Sequence, residues 1–437
     1  MKKFLPSLSE KEEIGSLLLS PKVKTLISLP AGRQVFLLLL LFLPTQLGLH
    51  FWPDFSFVQG LRVDYLSPTL YFTDILIILL LVSSPKTLNK LIKAVIKNKK
   101  ITLLTSLFIF LNMIYSSSPL SSIYYLLKIF EMLFVFSYAI TNFDRIKKFI
   151  PPIFAFGILF ESFMAILQFI KGGSINGIFY FFGERFFSLN TPNIALSSIN
   201  SELILRPYGT FPHPNVLAAF ILIGTFFILD QIKFKKDFKS IFYFICLLSG
   251  FTTLLISLSR IPIVLYPALV LFFAVQKKIK PKVFISFFAG FIGAIFFFGQ
   301  MIFYRFSNFL SFDESFFERA ELAKDSIRML YDHLFLGVGL GSFLHELPSY
   351  YTGEKIFFLQ PVHNIFLLFA SETGLIGFIL LALLFVYLFN KTKFSARFLL
   401  LIIFTLGFFD HYFLTLQQGQ LLLTLSMAYI FSNINNA

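Results

Sequence analysis

Apolar positions in this chain run in long uninterrupted blocks, separated by short polar segments. The blocks fall at roughly 34–52, 68–84, 101–117, 119–141, 149–170, 214–230, 240–257, 261–276, 283–303, 362–389, 398–413 and 419–432. A helix needs about 17–25 mostly apolar residues to cross a bilayer. The blocks are continuously apolar and do not alternate, so they do not read as barrel strands. The pattern predicts an all-α polytopic membrane protein of about 12 transmembrane helices with two long outside loops, 171–213 and 304–361. Residues 1–33 read as a cytoplasmic N-terminal tail, because a secretory signal is shorter and ends in a small-residue cleavage site. Residues 34–437 read as the membrane domain.

Charge sets the orientation. With the N-terminus inside, 26 of the 37 lysines and arginines fall in the inside segments, as the positive-inside rule requires. Both termini are then cytoplasmic, and the net charge of +14 needs no nucleic-acid partner. Composition agrees: 57% of residues are apolar and 14% charged, against about 25% charged in soluble domains. The 64 phenylalanines read as lipid-facing and bundle-filling bulk. A single cysteine, Cys246, excludes an internal disulfide and a multi-cysteine metal site. Ten cations are assigned outside, and seven of them are arginine, whose planar fork suits phosphate. Five of the six histidines lie in or beside outside loops and His50 ends the first block, so any chemistry belongs to the outer face.

Five groups of residues could carry that chemistry. Arg206-Pro207-Tyr208-Gly209-Thr210-Phe211-Pro212-His213-Pro214-Asn215 enters the sixth span; it fits both a rigid capped helix entry and an arginine placed near an anionic headgroup. Ser259-Arg260 occupies the tightest outside turn, where arginine also serves as an interfacial anchor. His363-Asn364 is followed by nine residues and then Gly374-Leu375-Ile376-Gly377. At 100° per residue these glycines share a helical stripe with His363, and small residues would let a neighbouring helix approach closely. Histidine is a plausible proton acceptor there, although a helix cap is the plainer account. Glu372 is a buried acid on the opposite face, and Glu131 with Lys128 reads as a structural pair. The segment 314–333, with Phe316, Ala320, Ala323, Ile327 and Leu330 in register, reads as an amphipathic helix lying on the membrane or lidding a cavity. Within it, Arg319 could reach a headgroup. The run Gly337–Gly341 reads as a flexible hinge. Asp410-His411-Tyr412 and Gln417-Gln418-Gly419-Gln420 suggest a wet pocket at the last outside turn. No spacing resembles a metal site, since His213 and His363 alone are insufficient, and no serine-hydrolase elbow occurs.

Together, the RPYGTFPHPN run at 206–215, SR at 259–260, GVGLGSF at 337–343, HN-x9-GLIG at 363–377 and DHY…QQGQ at 410–420 resemble the O-antigen ligase family of membrane glycosyltransferases, related to O-antigen polymerases and protein O-oligosaccharyltransferases. The resemblance is strongest over 180–431; the N-terminal third agrees in span layout only. It implies a GT-C-like glycosyltransferase architecture in the inner (plasma) membrane. It implies a donor glycan on a polyprenyl diphosphate and an acceptor hydroxyl on a glycan, a lipid-linked sugar or a protein, with no cofactor or metal. His363 would act as general base, Arg206 and Arg260 would hold the diphosphate, and inversion by direct displacement would follow. His213, Asn215, Asn364, Arg319, Asp410 and His411 would contact substrate. Ligase, polymerase and protein-glycosylating activities share these motifs. A lipid-linked glycan transporter is the competing class. Transporters usually place binding groups near the midplane in repeated halves, and here polar groups crowd the outer rim.

Overall fold

The computed structural model describes residues 28–199, 202–233, 237–277, 281–307, 314–351 and 359–434. The expected tail falls mostly on residues 1–27, outside the described residues. The helices are α1 (Ala31–Leu41), α2 (Phe72–Ser83), α3 (Pro85–Lys97), α4 (Lys99–Ile114), α5 (Pro119–Ile146), α6 (Ile150–Lys171), α7 (Pro214–Gln231), α8 (Phe238–Ser257), α9 (Arg260–Gln276), α10 (Pro281–Ser307), α11 (Glu314–Asp332), α12 (Phe343–Tyr350), α13 (Ile365–Lys391), α14 (Phe394–Phe409), α15 (Tyr412–Thr415) and α16 (Gln417–Ser432). Three two-stranded antiparallel ribbons sit between them: Gly48–His50 with Thr69–Tyr71, Phe57–Val58 with Leu61–Arg62, and Leu196–Ile199 with Glu202–Leu205. About 75% of the chain is helical, and a helix occupies part of each of the twelve apolar blocks.

By length and composition, five helical runs could cross a membrane, or six if the bent pair α2–α3 is one span. One run of 53 residues joins α5 to α6. Straight, it would reach about 80 Å, but a relay of contacts brings its two ends to one side of the molecule. Lys128 on α5 bonds Asp74, Asp74 bonds Gln417, and Gln418 bonds Thr45; a Cβ on Gly183 would press on Thr45, and Glu184 bonds Gln168 on α6. The run therefore doubles back at the short 3₁₀ turn Lys147–Phe149, next to the proline pair that opens α6. The chain is a membrane protein: large apolar side chains such as Phe296, Phe297 and Leu103 are largely exposed, which only lipid tolerates in such numbers.

Two blocks depart from expectation. The first helix stops at Leu41, and residues Gly48–His50 form a strand; eleven residues cover only about 16 Å. After Ser83 the chain turns by 83° into α3, where Lys86, Lys90, Lys93 and Lys97 line one side of a helix expected only as an inside loop.

At the centre stands α7. Every residue from Val216 to Leu229 is buried, which explains why this helix is apolar all round rather than striped. Around it pack α6, α8, α9, α14 and α16. A rigid, enclosed helix is thus the platform whose first turn enters the functional region.

The Gly337–Gly341 run is not a hinge. It crosses α13 at Gly374, where the backbone leaves helical geometry (φ 67°, ψ −172°). Val338 N–H donates to Ser371 O at 2.9 Å, Gly339 N–H to Glu372 O at 3.1 Å, and Leu375 N–H to Leu334 O at 2.7 Å. Asn112 clamps the crossing from α4, donating to Leu336 O and Glu372 O and accepting from Leu340 N–H. A Cβ on Gly374 would lie 2.3 Å from Phe335 backbone, and one on Gly337 2.4 Å from Glu372 backbone. The glycines thus serve a backbone-on-backbone crossing, not a helix–helix stripe shared with His363. Glu372 faces this segment, accepting from Phe343 N–H at 3.4 Å.

Helix α11 forms as expected. Its stripe of Phe316, Ala320 and Ile327 is exposed. A second stripe, Leu322, Asp325, Ser326 and Met329, is buried against α12 and α13. The i, i+3, i+4, i+7 spacing of that stripe was hidden by its two polar members.

Candidate functional site

Three segments remote in sequence meet at Asp410, which is 7% exposed. Asp410 ends α14 in extended conformation, so its side chain turns back across the helix ends. Its Oδ2 accepts from Asn215 Nδ2 at 2.7 Å, and its Oδ1 from the His411 backbone N–H at 2.8 Å. His363 Nδ1 stands 3.4 Å from Oδ1, an ion-pair distance without a formed hydrogen bond. The His363 and His411 rings are 5.0 Å apart. His411 Nδ1 is paired with Thr415 Oγ1 at 2.7 Å.

Asn215, in the first turn of α7, cross-links the site. Its carbonyl oxygen accepts from Arg206 Nη2 at 2.7 Å and Ser259 Oγ at 3.1 Å, while its nitrogen serves Asp410. These neighbours leave the amide one possible orientation. Arg206 also donates from Nε to Ser257 O at 2.8 Å. His213 caps α7 by accepting from Asn215 N–H at 3.1 Å, and Asn364 caps α13 by accepting from Phe366 and Leu367 N–H. Both cap readings of the sequence therefore hold, alongside any functional role. Below the loop, Glu161 accepts from Thr210 N–H and Oγ1, and Gln168 bonds Tyr208 and Gly209. These α6 side chains fix the Arg206–Asn215 segment, and the local sequence gave no sign of them.

Arg260 is placed beside Arg305: each donates from Nε to the other's turn, to Arg305 O at 3.2 Å and Leu258 O at 3.1 Å. The charges of Arg305 and Arg319 are felt at Arg206, whose pKa is pulled down to about 9, first by burial and then by these arginines. Burial, with Arg206 second, drives His213 down to about 3; burial also drives His411 down to about 3. Burial alone would raise Asp410, but the histidines 363, 411 and 213 outweigh it and hold the carboxyl well below its usual range. At neutral pH the site holds an ionised Asp410 facing His363, flanked by two neutral histidines.

A cavity of about 770 Å³ opens on this group, within the range of small-molecule sites. His213, His363, Asp410 and His411 line it. Arg206, Arg260, Arg319, Asn215 and Asn364 stand outside its lining. Three other cations do line it: Arg62, stacked 4.5 Å over Trp52; Arg185, 5.5 Å from the Tyr208 ring; and Lys128. In the sequence Arg62 and Arg185 counted only as outside cations, with no motif to single them out. Lys128 is held by Asp74 at 2.6 Å and Glu131 at 3.1 Å, so it belongs to a buried triad larger than the expected pair.

His363, Asp410 and His411 also place one ligand atom each within 4.8 Å of the others. These are donor types a zinc-like cation accepts, and they come together across a long sequence gap that spacing could not reveal.

Residues 243–382 match the family model described as O-antigen ligase. The match takes in Arg260, the Gly337–Gly374 crossing and His363, and leaves 206–215 and 410–420 outside. No curated protein and no solved structure matches the chain. The apolar helices make the chain a membrane protein, and over residues 243–382 it is similar to the O-antigen ligase family.

Proposed function

We propose that the protein transfers a glycan from a polyprenyl-diphosphate carrier to an acceptor hydroxyl at the outer face of the membrane. The observation that carries this reading is His363 on the cavity wall, backed by the ionised Asp410 at 3.4 Å. With Nδ1 turned to the carboxylate, Nε2 is the nitrogen that takes the acceptor's proton. The freed oxygen attacks the anomeric carbon, the bond from that carbon to the diphosphate breaks, and the configuration inverts. Asp410 stabilises the imidazolium formed, as a carboxylate does in hydrolase triads. Arg206, Arg260, Arg305 and Arg319 supply the positive field for the departing diphosphate. Arg206 has Nε and one Nη committed to Ser257 and Asn215, so it acts through its field and its remaining nitrogen. Asn215 ties that arginine to Asp410 and sets the pose of both.

The apolar helices and the lysine-rich segments between them support a polytopic inner-membrane reading with both ends cytoplasmic in a GT-C-like arrangement, in which the short α1 and the bent α2–α3 pair are not simple crossings. The acceptor, whether glycan, lipid-linked sugar or protein, separates ligase from polymerase or protein glycosylation. The test is transfer in liposomes from a polyprenyl-diphosphate oligosaccharide, comparing wild type with His363→Ala and Arg206→Ala. Loss in both variants at normal expression supports the reading. Carrier movement across the bilayer without transfer replaces it with a transporter.

A further inference from the structure

His363 lines the cavity, and nearly all the rest of its wall comes from chain that the family match does not cover. Four of the five glutamines that line it come from that chain: Gln46, Gln417, Gln418 and Gln420. Each is tethered by its amide nitrogen to an acceptor. Gln46 donates to Phe211 O, Gln418 to Thr45 O, Gln420 to Leu414 O, and Gln417 to Asp74 and Thr73. Because every tether is an acceptor, the assignment of nitrogen and oxygen is forced. Among the described residues no protein donor reaches any of the four Oε1 atoms, and none of these oxygens is sealed from the cavity. Four fixed carbonyl acceptors therefore await donors.

The surroundings narrow the ligand. Tyr71, Tyr124, Tyr125 and Tyr412 add ring faces to the same wall, and such amphipathic rings suit a ligand that is polar at its edge and apolar on its face. Aliphatic side chains are a minority of the lining, which disfavours a lipid tail. Each cation of the lining already has a protein partner, Lys128 between Asp74 and Glu131, Arg62 by Asp64 and Trp52, and Arg185 over the Tyr208 ring, which disfavours a phosphate. Neutral rings bearing many hydroxyls meet all of these demands. Arg206, Arg260, Arg305 and Arg319 are not among the residues that line the cavity, so the glutamine wall is separate from the arginines assigned to the diphosphate.

We propose that the arm walled by Gln46, Gln417, Gln418 and Gln420 is the acceptor subsite, binding hydroxyl-rich sugar rings through the glutamine carbonyls and stacking them on the tyrosines. The assignment of these sugars to the acceptor rests on the transferase reading above. The N-terminal third and the last outside turn then set which acceptor is used.

Trp52 is the single tryptophan. It lies against Arg62 at 4.5 Å and His50 at 6.0 Å, both of which line the cavity, so its emission reports occupancy. Full-length protein in detergent is titrated, without donor, with a panel of neutral hexose and N-acetylhexosamine di- to tetrasaccharides. Wild type is expected to give a saturable change with at least one member. Gln46→Leu and Gln420→Leu, on separate elements and each checked by melting, are expected to raise Kd about three- to tenfold each. Acceptor KM in the transfer assay should rise with kcat nearly unchanged. Equal Kd in both variants, or no saturable binding by any sugar, overturns the subsite. Normal sugar binding with no transfer to any acceptor overturns the transferase reading and leaves the sugar subsite standing.

Discussion

Asp410→Asn is the substitution that tests the chemistry most directly. The change keeps the side chain's shape and removes its charge. At 3.4 Å, an imidazolium–carboxylate pair at an effective dielectric of about 20 is worth about 5 kcal/mol. That is an upper bound on what Asp410 gives the protonated His363 as the acceptor loses its proton. At about 1.4 kcal/mol per factor of ten, the ceiling is a loss of three to four orders of magnitude in kcat. Asparagine also turns one nitrogen toward either Asn215 Nδ2 or the His411 N–H, both donors in the native site. The expected result is a fall in kcat of about 10²- to 10⁴-fold, with donor KM within a few-fold of wild type. The assay is single-turnover transfer from a defined polyprenyl-diphosphate oligosaccharide, with a melting curve on each preparation. A variant that folds normally and keeps more than a tenth of wild-type kcat would refute the dyad, whatever becomes of the arginines.

Gly374→Ala should destabilise by about 3 kcal/mol or more, because φ is +67° and the new Cβ would strike the Phe335 backbone; thermal melting in detergent measures it, and a melting temperature equal to wild type contradicts the crossing. Acid should also destabilise the protein. His213 and His411 are near 3 when folded and near 6.5 when unfolded, so the stability they confer is complete above about 6.5 and is lost as pH falls from there toward 3. Asp410, depressed in the fold, adds loss below about 4; melting from pH 7.5 to 4 should show a steady decline that His411→Asn makes shallower. Chelator should leave transfer intact if His363 works as a base, whereas loss restored by zinc would turn the His363–Asp410–His411 trio into a metal centre.

The apolar blocks announced the helices because burial in lipid demands long apolar runs whatever the tertiary contacts. They did not announce where a helix ends early. Leu41 is followed by more apolar residues, and the chain turns into a strand pairing with Thr69–Tyr71, a choice made by long-range partners. Arg206, His213, Asn215, His363, Asp410 and His411 stand out one by one in the sequence, and the fold gathers them into one candidate site. Their roles were less legible. Asp410 appeared beside His411 as a polar turn, and only the fold sets it behind His363. Arg206 was expected against substrate, yet it is spent partly on Asn215. The glycine pattern Gly374-x-x-Gly377 was visible, but its meaning was not. A helical projection assumes a helix, and Gly374 is where the helix breaks. The cavity's far wall was hidden because Gln46, Tyr71 and Tyr124 come from a third of the chain without motifs.

Three helices begin at the reacting centre: α7 at Pro214, α9 at Arg260 and α13 at Ile365. Each N-terminus carries roughly half a positive charge from its aligned peptide dipoles. These three poles converge on the spot where the arginines gather and where a diphosphate would leave. Mobile salt ions screen exposed charges over about 8–10 Å in ordinary buffers, but they cannot enter a helix end capped by His213 or Asn364. A field built this way should outlast a rise in ionic strength. An anion held here should respond weakly to salt, unlike one bound by surface lysines.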